Sequence, residues 1–366
     1  MDSKLSIIKK LIWTVGGEVM AITNFGKTAG GADVMMYTLK NAGGMEVDII
    51  SLGATLRAVR VPDKNGVIRD VLLGYDTPAE YEAVNGFLGT VIGRNGNRIA
   101  GAQVTIEGTT YQLEANENEN NLHSGSKGFH TVLWTATEAD DAHVVLTYHS
   151  PDGEQGFPGN MDVVVTYTLT DAGELGINYK ATTDKTTVAN FTNHAYFNLN
   201  GQDSGVAEDQ KLQIFASHYI PVKDEKCIPT GVIAEVANTP LDFRQMTVIG
   251  DRIRDDYDQL KYVGGYDHCY IADKEDNAYG LVAVAQSDVS GIRMEVFTDA
   301  LGIQFYAGNF IGEQSGKDGA TYNDRHGYAL ETGYAPNSAN ETNFKQPIFV
   351  PGEVYETKTT YQFSVM

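Results

Sequence analysis

Hydrophobic and polar positions alternate with a period of two over much of the chain. MDVVVTYTLT (161–170) sets Val163, Val165, Tyr167 and Leu169 on one face and Asp162, Val164, Thr166 and Thr168 on the other, the pattern of a strand buried on one side. EVDIISL (46–52), TLRAVRVPD (55–63), AHVVLTYHS (142–150) and ELGINYKATT (174–183) also read as strands. Between such runs stand Asn65-Gly66 after Asp63, Asp152-Gly153, Asp171-Ala172-Gly173 and Pro351-Gly352, the turn chemistry of antiparallel hairpins. Helical periodicity is weak. Its short candidates are 78–83, with Thr77 as N-cap, and 251–255. No Pro/Ser-rich linker and no fixed-period repeat interrupts the pattern. The expectation is all-β: a large antiparallel β-sandwich, with residues 21–366 as a single domain.

Composition narrows the partners. With 366 residues, 42% of them hydrophobic, the chain can bury a large core. A formal charge of −21 repels phosphate backbones and anionic headgroups, so neither nucleic acid nor a membrane surface is an expected partner. Cys227 and Cys269 cannot make a disulfide framework and read as reduced thiols in a cytoplasmic protein. The eight histidines show no HxH or HExxH pair, and no phosphate-cradling glycine motif occurs, so neither a metal nor a nucleotide cofactor is implied. Near the start, KKLIWTVGGEVM superficially resembles a signal sequence, but Glu18 and paired glycines interrupt it. Residues 1–20 read as a disordered N-terminal extension or an over-called start. No apolar run reaches the ~18 residues of a membrane span.

Several stretches set polar or ionisable groups among aromatics and glycines. In NFTNHAYFNLNG (190–201), Phe191, Asn193, Ala195, Phe197 and Leu199 share one face, while Thr192, His194, Tyr196 and Asn198 share the other. GRNGNRIAGA (93–102), NENNLHSGSKGFH (118–130), GGYDHCYIAD (264–273), GIQFYAGNF (302–310) and YALETGYAPNSAN (328–340) have the same character. Glu331, inside a strand pattern, needs a partner such as Arg98 or a wet cleft. Taken singly, each has an ordinary structural reading: a buried histidine at 194, a loop carboxylate held by Arg98, a loop histidine at 123, a turn aspartate at 267. Taken together, a carboxylate, imidazoles, a guanidinium, an amide and flanking aromatics are what a polyol ring requires. The inference is a site for a neutral sugar.

These motifs, with SLGATL, IPTG (228–231) and LDFR (241–244), resemble the aldose 1-epimerase (galactose mutarotase) family in order from about residue 22 to the C-terminus. The resemblance implies a supersandwich of antiparallel sheets and interconversion of the α and β anomers of free aldoses without a cofactor. A monomer or weak homodimer is the expected state, with the sequence leaving oligomerisation open. The resemblance also implies Glu331 as catalytic base and His194 as catalytic acid, with Arg98, His123, Asp267 and Gln304 binding the sugar. With reference pKa values of ~4.3 and ~6.5, an ionised glutamate and a protonated histidine are the expected starting states. The sequence departs from the family pattern beside these residues, at Asn95-Gly96, at Ser124-Gly125 and over Gly333–Asn337, which puts the preferred sugar in question. Three alternatives remain: a hexose-phosphate mutarotase, which would want cations beyond Arg94, Arg98 and Lys127; a non-catalytic carbohydrate-binding protein; and a glycoside hydrolase using Glu331 with Asp267.

Overall fold

The computed structural model describes residues 21–83 and 86–366. Residues 1–20, read above as an extension, lie outside the described residues. The strands fall where the alternation places them: Glu46–Ile50, Thr55–Pro62, His143–Ser150, Met161–Leu169 and Glu174–Thr183. In Met161–Leu169 every second side chain is buried, the signature of a sheet with one face on the core. The turns do their expected work. Asp63 Oδ1 accepts the backbone N–H groups of Asn65 and Val67, and Gly66 takes φ 77°, which a side chain would resist.

Three sheets organise the described residues. A five-stranded meander runs from Ala21–Lys27 to Ile68–Asp70. A nine-stranded antiparallel sheet carries the C-terminal strand Tyr355–Val365 between Glu174–Thr183 and Ile292–Thr298. A six-stranded sheet contains Tyr196–Phe197, Tyr328–Gly333, Gly302–Tyr306 and Asp267–Ile271 in that order. One hydrophobic cluster joins all three, through Val47 and Ile49, Val165 and Ile177, and Phe305 and Leu330. Tyrosine hydroxyls fasten the layers, Tyr167 Oη donating to the Ala54 carbonyl (2.7 Å) and Tyr361 Oη to that of Leu330 (3.1 Å). The arrangement is the large antiparallel sandwich the sequence leads one to expect.

The helices are few. Pro78–Ala83 forms as expected, opened by a reciprocal cap in which Thr77 Oγ1 accepts from Glu80 N–H and Glu80 Oε2 accepts from Thr77 N–H. The expectation of a helix at 251–255 is not met. A 3₁₀ turn covers Ile249–Asp251, and the helix comes later, at Asp258–Val263, closed by Gly264 in the left-handed conformation. Tertiary contacts override local preference here: Ile253 is pulled into the core, while Arg252 and Arg254 are held by the Asp242 carbonyl and Glu208.

Candidate active site

The six-stranded sheet assembles the site by register. Tyr196, Ala329, Tyr306 and Asp267 lie opposite one another across four strands. Two residues along, and therefore on the same face, Glu331, Gln304 and Cys269 form the next row. Gly333, Gly302 and Ile271 form the row after that.

His194 enters from a crossing point of the chain. Thr192–Asn193 pairs with Val91–Ile92, whereas Tyr196–Phe197 pairs with the strand that carries Glu331. The backbone of His194 is fixed between these, donating to the Thr90 carbonyl (3.0 Å) and accepting from Gly89 N–H (2.9 Å). Its ring stacks near-parallel to Tyr196 (4.8 Å) and to Phe87 (5.8 Å), with His123 edge-on at 5.2 Å. Nε2 stands 3.6 Å from Glu331 Oε1, and both residues are buried.

Burial governs the charge of this pair. The Glu331 carboxyl is pushed up to about 8, by desolvation first and by the Asp267 carboxylate second, against the opposing pull of Arg98. Desolvation lowers His194 to about 4, with the neighbouring His130 adding to the effect. The free site thus favours the neutral pair, with the proton on Glu331, instead of the ionised glutamate and protonated histidine that the reference values suggest. His194 Nδ1 has no hydrogen-bond partner among the described residues, and Nε2 is the ring nitrogen that faces Glu331.

The other candidates surround the pair. Gln304 Nε2 donates to Asp267 Oδ1 (2.6 Å), and its Oε1 is buried without a partner among the described residues. Arg98 does not pair with Glu331; it grips Glu117 with two hydrogen bonds (2.6 and 2.8 Å) and stands 3.8 Å from Asp267. His123, with its backbone at φ 52°, accepts from Asn97 N–H through Nδ1 (3.1 Å), so Nε2 carries its proton. Contacts link all six candidates: His194 faces Glu331 and His123, Gln304 lies opposite Glu331 and binds Asp267, and Asp267 stands beside Arg98. Arg94 does not join them: its guanidinium is buried against Ser150 and the carbonyls of Ser150, Pro151 and Pro158.

Sequence reasoning missed three features. Phe87, in an unpatterned loop, packs on His123 and His130 (4.8 Å each) as well as on His194. Glu117 gave no signal beyond its place in an acidic-amide run. Linear spacing also could not show that ligating atoms of His123, His194 and Glu331 lie within 4.8 Å of one another, since the three come from separate segments. That donor set has the composition of a His₂Glu metal site.

The family model described as aldose 1-epimerase matches residues 35–362. Aldose 1-epimerase of Escherichia coli (strain K12) is 40% identical over 335 residues, covering 91% of this chain and 96% of its own length. Galactose mutarotase of Mus musculus is 42% identical over 345 residues, covering 94% and 98%. Among solved structures, an aldose epimerase homologue from C. elegans superposes with a TM-score of 0.84 at 28% identity over 90% of this chain and 99% of its own. Galactose 1-epimerase from Lactobacillus acidophilus gives 0.80 at 28% identity over 94% and 98%. With a family match spanning most of the sequence, and relatives at 40% identity or above along nearly their whole length, this chain belongs to the aldose 1-epimerase family.

Proposed function

We propose that the protein interconverts the α and β anomers of free aldoses such as glucose and galactose, with Glu331 as base and His194 as acid. The observation that carries this reading is the 3.6 Å separation of His194 Nε2 and Glu331 Oε1. In a cyclic aldose the hydroxyl to be deprotonated and the ring oxygen to be protonated are bonded to the same carbon, so base and acid must stand side by side. Ring opening starts from the ionised form of the pair. Glu331 takes the proton of the C1 hydroxyl, a C1=O1 double bond forms, the C1–O5 bond breaks, and O5 takes the proton of His194. Rotation about C1–C2 presents the other face of the aldehyde. The pair, now a carboxylic acid and a neutral imidazole, then runs the steps in reverse. Because each group can hold the proton in turn, one site serves both directions.

Arg98, His123, Asp267 and Gln304 hold the sugar hydroxyls. The free acceptor of Gln304 and the Nε2–H of His123 suit hydroxyl groups, and Arg98 is already neutralised by Glu117. With Arg94 sequestered as well, the site suits an uncharged sugar better than a phosphosugar. Cys227 and Cys269 are buried free thiols, in keeping with a cytoplasmic protein. No helix among the described residues is long and apolar enough to cross a membrane. The small-molecule sugar is its expected partner, with neither nucleic acid nor membrane, and with the protein as a monomer or weak homodimer.

The test is polarimetry on freshly dissolved α-glucose, α-galactose, xylose, arabinose and maltose. Faster equilibration than the buffer blank for at least the hexoses is expected. Failure to accelerate any aldose, or release of the aryl group from an aryl galactoside, would overturn the reading.

A further inference from the structure

A cavity whose lining includes neither Glu331 nor His194 lies apart from the catalytic pair. It measures about 510 Å³ and lies further along the same sheet face, floored by Ile271, Gly302 and Gly333. Over the row Glu331, Gln304 and Cys269 lies a separate small hollow of about 20 Å³, which shares Gly302, Gly333 and Tyr334 with the cavity. A hollow of that size has room for about one water molecule, so it offers a sugar ring no passage from this row to the cavity. The cavity must be served from its own mouth, where Ile233 and Val354 stand 45% and 48% exposed. Its volume falls within the ~300–1,000 Å³ of small-molecule sites, and nothing in the ring-opening chemistry uses it.

We propose that this cavity is a second carbohydrate site, which takes a neutral oligosaccharide independently of the ring-opening site. The wall supplies aromatic surface from Phe349 and from the face of Tyr334 away from Lys345, whose Nζ lies 5.6 Å over the other face, with the buried Tyr355 packed edge to face behind Phe349 at 5.1 Å. Such surfaces receive the C–H faces of pyranose rings. Asp276, Asp299 and Glu356 bring carboxylates, while the sole basic side chain of the lining, Lys345, is already bound to Asp276 (2.7 Å). The balance excludes anionic ligands. Asn343 and Gln346 donate their amide N–H groups to the Gly231 and Ala339 carbonyls, Glu356 meets Lys180, and Asp299 accepts from Thr357 and the Lys358 N–H. The remaining lone pairs of these carboxylates and amide oxygens, with the Tyr334 hydroxyl, are left to meet hydroxyl groups. The two glycines of the floor are fitted to the sheet beneath. A Cβ on Gly302 would come within 2.6 Å of the Gly333 carbonyl oxygen, and one on Gly333 within 2.8 Å of Asn190 Oδ1, so this stretch of sheet stays bare.

The probe is maltotriitol, whose reduced end has no ring to open, so its binding is independent of whether Glu331 and His194 do chemistry. Calorimetric titration is expected to show saturable binding at one site, unchanged by saturating galactose. Tyr334→Ala and, separately, Ala300→Trp, which places a bulky ring in the cavity from a half-buried wall position, should each weaken it ~10-fold or more. Ala300→Trp should leave kcat/KM for galactose unchanged, which also shows that the variant is folded. Absence of binding at millimolar maltotriitol, displacement by galactose, or binding indifferent to both substitutions would each overturn the proposal.

Discussion

The pH dependence of kcat/KM separates the buried pair from an ordinary glutamate and histidine. Active enzyme carries one proton on the pair, wherever that proton rests, because ionised and neutral forms contain the same number. Below about 4, His194 gains a second proton and Glu331 can no longer act as a base; above about 8 the pair loses its proton and O5 has no donor. The plateau therefore runs between these values. At pH 7.5, half a unit below the upper limit of about 8, about three-quarters of the pairs remain competent. At pH 9 the figure is about one-tenth. Had the histidine kept its ordinary 6.5, only about one-tenth would survive at pH 7.5. The assay is galactose mutarotation at low substrate, in dilute buffers, with the uncatalysed rate subtracted at each pH. An alkaline limb centred near 6.5, with activity already collapsing at pH 7.5, would refute the argument that burial sets these protonation states.

Three further outcomes follow from particular contacts. Phe87→Ala removes the ring that shields His194 on one side, so water reaches the imidazole; the acid limb should move up from about 4 toward 6.5 and kcat should fall ~10-fold, whereas an unmoved limb would reduce Phe87 to packing. Gly302→Ala drives a Cβ to 2.6 Å from the Gly333 carbonyl, and thermal unfolding should show a loss of ~1–3 kcal/mol; an unchanged melting temperature would contradict the tight apposition of these strands. Dialysis against EDTA should leave mutarotation intact, because Glu331 and His194 act on protons; loss of activity restored by Zn²⁺ would instead make His123, His194 and Glu331 metal ligands.

Much of this protein is legible in its sequence, for reasons that particular residues make plain. Met161–Leu169 alternates cleanly because one face packs on the core and the other meets solvent. The row Glu331, Gln304, Cys269 could not be read in the same way, since cross-strand register depends on contacts hundreds of atoms apart in the chain. Motif resemblance marked Glu331, His194, Arg98, His123, Asp267 and Gln304, but not that Arg98 is spent on Glu117 or that Phe87 covers the histidines. Charge was the least legible quantity. Reference pKa values describe groups in water, and the 8% and 5% residual exposure of Glu331 and His194 reverses the preferred position of the proton. The helix expected at 251–255 failed because five residues carry too little local preference to resist the pull of Ile253 into the core.

The central claim is that one carboxylate accepts the anomeric proton while the imidazole beside it supplies the ring oxygen. Glu331→Gln keeps the shape of the side chain and removes its basicity, so the decisive measurement is polarimetric kcat for α-galactose in this variant alongside its galactose dissociation constant. The account predicts a fall in kcat of ~10²–10⁴-fold with binding little changed. Turnover at the wild-type rate by the folded variant would contradict it.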